Sequence, residues 1–277
     1  MAARKASPQK QIRRKAAKSA SHATLKVAAG LASDRVLYLY ALTPASAPVT
    51  AIATFGIDGV GPVRSIACGD FCAWISEVPR AEFGAGIEQR MEDLDWLANA
   101  SVRHQRVVAE LAQRATVLPA RFGTIFMQKD SLCDDVAAHA RELHAALQHV
   151  SGADEWGIKV FRVQSGTAAA AQAASGADYL QQKAARLRQQ TRTSGELPAE
   201  VAELATGLRK LVRDSGPGGN VSRGQPGLAW QASLLLPRAN KKQFDSMVRR
   251  FAAANAGALR IEVTGPWPPY SFVKHGS

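Results

Sequence analysis

The sequence predicts an α+β fold in two domains: an N-terminal antiparallel sheet with helices, and a C-terminal split βαβ unit. Three observations lead there. Short apolar runs rich in branched and aromatic residues crowd positions 36–78. Two stretches of three- and four-residue apolar spacing follow, at 92–119 and 131–152. From residue 155 the order becomes strand, helices, strand, helix, strand, which suits a sheet with helices on one face. The domains are expected at 34–153 and 154–277, joined near 150–155, behind a disordered basic tail at 1–33.

Each element has its own signal. Val36–Leu42 is an almost unbroken apolar run ended by Thr43-Pro44, a buried strand. Ala51–Phe55 is a second strand candidate. Gly56-Ile57-Asp58-Gly59 is a turn; its glycines do not fit the spacing of a phosphate loop, no lysine follows, and Pro62 stands where a helix would open. Val63–Ala67 and Cys72–Val78 form a hairpin around Gly69-Asp70. Glu92, Asp93 and Asp95 crowd the first turn of a helix, where carboxylates complement the positive end. Leu94, Leu97, Val108, Leu111 and Ala115 give that helix its apolar stripe, and Pro119 ends it. His104 lies on the stripe and reads as a hydrogen-bonded core histidine, since no nucleophile or second ligand accompanies it.

The next helix runs from Ser131 to Gly152. Its His139, His144 and His149 are five apart and rotate around the axis instead of converging on a metal. Between the two helices, Arg121 stands among apolar neighbours, so its burial would require a carboxylate or carbonyl partner. Trp156–Val163 is a strand and Gln164–Gly176 a loose connection. Leu180, Ala184 and Leu187, then Val201, Leu204, Leu208 and Leu211, mark two helices. Ser215–Gly227 is a flexible loop. Leu228–Leu236 alternates as a half-buried strand. Lys241–Asn255 is an amphipathic helix, and Leu259, Ile261 and Val263 mark a last strand. Pro266, Pro268 and Pro269 then force an extended path, along which Trp267, Tyr270 and Phe272 are expected to pack internally.

The 277 residues are 46% hydrophobic, ample for a core, and no run approaches a membrane span. The net charge of +12 is uneven. Residues 1–35 carry nine Lys/Arg against Asp34, leaving the remainder only mildly basic. The head lacks the apolar block of a secretory signal and looks like an organellar transit peptide. It reads otherwise as a solvated tail or an electrostatic arm for polyanions. Three cysteines, Cys68, Cys72 and Cys133, point by their odd number to a reducing compartment and to buried thiols. Cys-x3-Cys without a matching pair gives no zinc set.

Seven segments in order carry a resemblance to a known family. They are V-L-Y-L-Y-A-L at Val36–Leu42, G-I-D-G with the V-x-x-I at Val63–Ile66, and S-E-V-P at Ser76–Pro79. E-D-L-D-W-L at Glu92–Leu97, L-P-A-R-F-G-T-I-F at Leu118–Phe126 and E-W-G-I-K-V at Glu155–Val160 follow, and G-P-W-P-P-Y-S-F-V at Gly265–Val273 closes the series. The chain resembles the gas vesicle GvpL/GvpF family from Val36 to Val273. The resemblance implies a cytoplasmic accessory protein associated with gas vesicles, a ferredoxin-like second domain, no enzymatic activity, and no cofactor or metal. It singles out Glu92, Asp93, Trp96, Arg121, Phe122, Gly123, Thr124, Trp156, Trp267, Pro268, Pro269 and Tyr270 as structural or partner-binding. Two departures stand out: the basic head has no counterpart, and Gln105 stands where the family tends to be acidic. A prokaryotic family also weighs against a transit peptide.

A vesicle wall must exclude water, so its shell subunit presents an apolar face that would aggregate before assembly. The expected function is to bind that subunit and other vesicle proteins and to promote nucleation. Two surfaces suit it: an open sheet edge, with the first domain's β-rich face preferred, and the apolar strip near the aromatic C-terminal segment. The alternative is a polyanion- or nucleic-acid-binding adaptor using the basic tail. Against nucleic acid, the last strands offer Leu, Ile and Val where base-stacking aromatics would be needed. Against an enzyme, no nucleophile elbow, zinc-protease motif or carboxylate pair occurs.

Overall fold

The fold is that of a computed structural model, which describes residues 34–84, 87–163, 197–218 and 225–273. The basic head and the expected helix on Leu180, Ala184 and Leu187 lie outside the described residues. Packing divides the chain into two units: residues up to 115 with 120–140, and 116–119 with 141 onward.

The first unit is built on β1 (Arg35–Pro44), β2 (Arg64–Cys68) and β3 (Phe71–Pro79), all antiparallel, in the order β2-β3-β1. The short strand β4 (Ile125–Phe126) pairs the other side of β1. Strands β1 and β3 are apolar along almost their whole length because both faces are buried. The register shifts between Leu39 and Ala41, so Tyr40 is the extra residue of a bulge. Helices α1 (Arg80–Phe83), α2 (Ile87–Glu92), α3 (Leu94–Ala112) and α4 (Lys129–Ala138) follow. The Asp93 carboxylate caps α3 by accepting from the N–H groups of Asp95 and Trp96, at 3.0 and 3.1 Å. Ala100, His104, Val107, Val108 and Leu111 form its buried stripe, whereas Leu94, at the first turn, is 77% exposed.

Three expectations are corrected here. Ala51–Phe55 is not a strand, and only Phe55 forms an isolated bridge, to Pro62. The backbone donors of this stretch go instead to the Glu110 carboxylate of α3, which accepts from the N–H of Ala53 and of Thr54 at 3.1 Å each and from the Thr54 hydroxyl. Arg114 completes the strap, donating to Glu110 and to the Ala51 carbonyl at 2.8 Å. Burial works against the Glu110 charge, but these donors outweigh it and hold the carboxyl below its ordinary pKa. The helix expected over 131–152 is two helices, α4 and α5 (Ala140–Val150), broken at His139. Finally, Cys68 and Cys133 are joined in a disulfide that ties α4 to the end of β2, and only Cys72 is free. An odd cysteine count constrains one thiol and leaves the other two able to pair.

The second unit contains α5, β5 (Ala153–Arg162), α6 (Ala199–Arg209), β6 (Asp214–Pro217), β7 (Leu228–Pro237), α7 (Lys241–Ala254) and β8 (Leu259–Trp267). Its antiparallel sheet runs β6-β7-β5-β8. Strand β6 corrects the loop expected at Ser215–Gly227; it is too short and too rich in Gly and Pro to show alternation. Arg213 secures α5 to this unit by donating to the His149 and Ser151 carbonyls at 2.6 and 2.7 Å, cations being favoured at a helix C-terminus. On one sheet face Ile158, Val160, Ala232, Leu234 and Leu236 form a core with Val201, Leu204 and Leu208 of α6 and Phe244 and Phe251 of α7. Strand β8 runs through Gly265-Pro266-Trp267, further than the prolines suggested. It lies at the edge of the sheet, where a missing N–H costs no ladder bond.

Candidate functional site

Two groups of side chains gather the residues singled out by sequence, one in each unit. In the first, Tyr38 and Tyr40, two apart on β1 and so on one face of the strand, reach the same histidine. Their rings lie 5.0 Å apart, and each is within 5.7 Å of the His104 ring. The Tyr38 hydroxyl meets His104 Nδ1 at 2.9 Å and accepts from the Gly123 N–H at 3.1 Å. With Tyr38 donating to Nδ1, the imidazole is neutral and carries its proton on Nε2. Burial lowers its pKa to about 4, against a smaller opposing effect of the Ala120 carbonyl. Tyr40 accepts from the Ile57 N–H at 2.6 Å and shares a hydrogen bond with Ser76 at 2.7 Å. Burial pushes this phenol up to about 12.

This network holds the segment 120–126 against the sheet. The Ala120 N–H donates to the Tyr40 carbonyl, and the Leu39 N–H donates to the Thr124 carbonyl. Phe122 stands edge-on to Tyr38, His104 and Trp96. Gly123 takes φ +85, a conformation that favours glycine. The Thr124 hydroxyl donates to the Arg121 carbonyl at 2.8 Å. Trp96, Phe122, Gly123 and Thr124 are thus brought together, with Arg121 beside them. Arg121 is exposed, so the partner that its burial would have required is not needed. The loop is rigid underneath and presents a cation outward. Asp93, the cap of α3, and Glu92, the last residue of α2, are both exposed. The Gly56–Gly61 turn spends its own N–H groups: Val60 and Gly61 donate to Asp58, Gly59 to Gly56, and Ile57 to Tyr40. That consumption agrees with the turn reading and leaves no phosphate cradle.

In the second unit the C-terminal motif folds back on β5. Ser271 donates its N–H to Glu155 Oε2 at 2.9 Å and its hydroxyl to Oε1 at 2.5 Å. Pro268, Pro269 and Val273 are buried, while burial and the Glu155 charge push the Tyr270 phenol up. Trp156 occupies a register shift between Glu155 and Gly157, with Lys241 Nζ 4.4 Å from its ring centroid. A Cβ on Gly265 would come within 3.1 Å of the Trp156 ring and 2.9 Å of the Glu155 carbonyl, at φ +127, so only glycine fits. Trp267 departs from its expected packing: it is 46% exposed, because its strand pairing with Glu155 turns burial over to the prolines that follow. Glu155 and Ser271, the anchor of this tail, carried no sequence signal as a pair; 116 residues separate them.

Among the described residues, no group of three His, Cys, Asp or Glu is placed to hold a metal ion. No helix among them is long and apolar enough to cross a membrane.

A two-sheet α+β chain whose motif segments are spent on ordering its own loop and tail fits the class of gas vesicle proteins. The chain matches the family described as gas vesicle synthesis protein GvpL/GvpF over residues 36–274, and it belongs to that family. It is 32% identical over 263 residues to gas vesicle protein L of Streptomyces sp. (strain CB03234), covering 87% of this chain and 94% of the relative. Gas vesicle protein F of the same strain is 28% identical over 254 residues, covering 86% and 99%. The crystal structure of GvpF from Anabaena sp. PCC7120 superposes with a TM-score of 0.63 at 18% identity, covering 87% of this chain and 99% of that one. GvpF from Microcystis aeruginosa gives 0.56 at 19% identity, with the same coverage. At these identities the two structures speak for the shared fold.

Proposed function

We propose that this chain is a non-enzymatic, cytoplasmic accessory protein of gas vesicle formation that binds the apolar shell subunit, together with other vesicle proteins, and promotes nucleation. Strand addition at the open edge of the first unit's sheet is the contact. The reading keeps the domain division at 34–153 and 154–277. It takes the second as ferredoxin-like, for which the strand order β6-β7-β5-β8 speaks.

The observation that supports it most is the geometry of β2. This strand pairs with β3 alone, and Cys68 faces Phe71 across a two-residue turn. In such a hairpin the pair beside the turn exchanges both backbone bonds, and the pairs then alternate. Arg64, Ile66 and Cys68 therefore bond to β3, and Ser65 and Ala67 direct their N–H and C=O groups away from the sheet. Both side chains are exposed; α4 is fastened at the Cys68 end, where Cys133 Sγ lies 3.7 Å from the Ala67 carbonyl, so the outward groups left open are those of Ser65 and the Ala67 N–H. A second extended chain could take up these groups, which are the ones an aggregation-prone subunit would offer in turn. Arg121 and Trp267 are further exposed contacts in their own units.

The test is capture of the co-expressed shell subunit. Ser65→Pro removes one outward donor and leaves the β2–β3 ladder intact, so capture should fall at least about fivefold, the equivalent of one lost hydrogen bond. Equal capture by Ser65→Pro and the parent chain would contradict the edge contact, and absence of any capture would contradict the function.

A further inference from the structure

We infer that the outward face of α3 is a self-association surface, on which a second copy of this chain packs its own α3 antiparallel. The inference is independent of the shell-binding reading. Leu94, Ala98 and Val102 follow at four-residue spacing and so line one face of the helix. All three are exposed, Leu94 at the first turn to 77% and Val102 two turns on to 50%, which leaves an apolar line open on the helix surface. Ala109 continues the same line two turns further on.

Charge decides the occupant. Asp95 and Arg106 flank the apolar line on the same side, since eleven residues make three turns. Both are exposed, and neither has an ion-pair partner among the described residues. An antiparallel copy related by a twofold axis between residues 100 and 101 brings the Asp95 of each helix level with the Arg106 of the other. Flanks on the same side of such a pair meet, as they do in antiparallel coiled coils, so two ion pairs form at once. The same register seats Leu94 over Gln105 and Ala109 of the copy, and sets Val102 against Ala98. Leu94 and Val102 therefore face the small Ala109 and Ala98, with the Gln105 stem alongside Leu94. A parallel copy would place Asp95 beside Asp95 and Arg106 beside Arg106. One helix pair buries less area than a standard interface, which makes this a weak, concentration-dependent dimer.

Sedimentation equilibrium of the full chain at 150 mM salt tests this. The apparent mass should rise from one protomer toward two between about 10 and 500 μM, the range expected of a small interface. The paired substitution Leu94→Glu and Val102→Glu should abolish the rise, with an unchanged circular dichroism spectrum because both sites are exposed. Asp95→Arg alone should weaken association about tenfold, and adding Arg106→Asp should restore it to within about threefold, since the swap re-forms both pairs with signs reversed. A chain that stays monomeric throughout overturns the inference. So does a dimer untouched by Leu94→Glu with Val102→Glu, and so does failure of the charge swap to rescue Asp95→Arg.

Discussion

Reducing the Cys68–Cys133 disulfide should lower the stability of the first unit by about 4 kcal/mol, the largest single effect expected for this protein. The bond spans 65 positions, so it removes much of the loop entropy available to the unfolded chain. It also fastens α4 to β2, the strand proposed to meet the shell subunit. With a urea m-value of about 2 kcal/mol/M, the midpoint should fall by about 2 M on adding reductant. A Cys68→Ser, Cys133→Ser chain should melt at the reduced midpoint whether or not reductant is present. Thiol labelling of the unfolded chain should count one reactive cysteine, Cys72, before reduction and three after. Coincident urea curves with and without reductant would contradict the assignment.

Acidification should weaken the same unit through His104. The folded imidazole titrates at about 4, whereas an unfolded histidine titrates near 6.5. Between those values the unfolded chain binds a proton that the folded chain refuses, so protons favour unfolding. The contribution is fully present above pH 6.5 and is lost progressively as the pH falls toward 4. Its full extent is about 3 kcal/mol, at about 1.4 kcal/mol for each pH unit crossed. Protonation would place a donor on Nδ1 against the Tyr38 hydroxyl, which would then have to accept there and turn its own proton away from the ring. Carboxylates such as Glu110 also titrate in acid, and the comparison with His104→Gln removes their share. The substituted chain should start less stable at pH 7 and lose about 3 kcal/mol less on going to pH 4. Parallel losses in the two chains would show that His104 does not carry the acid sensitivity.

What the sequence made legible was whatever repeats locally. The alternation of Leu228–Leu236, the apolar run of Val36–Leu42 and the spacing of Phe244, Met247, Val248 and Phe251 all found their elements. His104 was legible too, as a polar side chain on an apolar stripe with no catalytic company. Failures came where a distant group competes with local preference. Ala51–Phe55 has strand composition, but Glu110 claims its donors from a helix more than fifty residues away. Leu94 has the right spacing for burial, yet it sits at the first turn, beyond the reach of the sheet that α3 covers. Cys68 with Cys133 and Glu155 with Ser271 are pairings set by topology, and no spacing rule announces them. Within the candidate site, the motif segments could be found without the structure. Their division into supports (Phe122, Gly123, Pro268, Pro269) and outward groups (Arg121, Trp267) could not, because that depends on which way each strand and loop turns.

The most direct measurement places a photo-crosslinking amino acid at Ser65, on the open side of β2, in cells that are assembling vesicles. A second chain carries it at Trp267 for comparison. The account predicts a covalent adduct between position 65 and the shell subunit, identified by mass spectrometry and lost when the edge is closed by Ala67→Pro. Adducts confined to position 267, or none with the shell subunit at position 65, would contradict it.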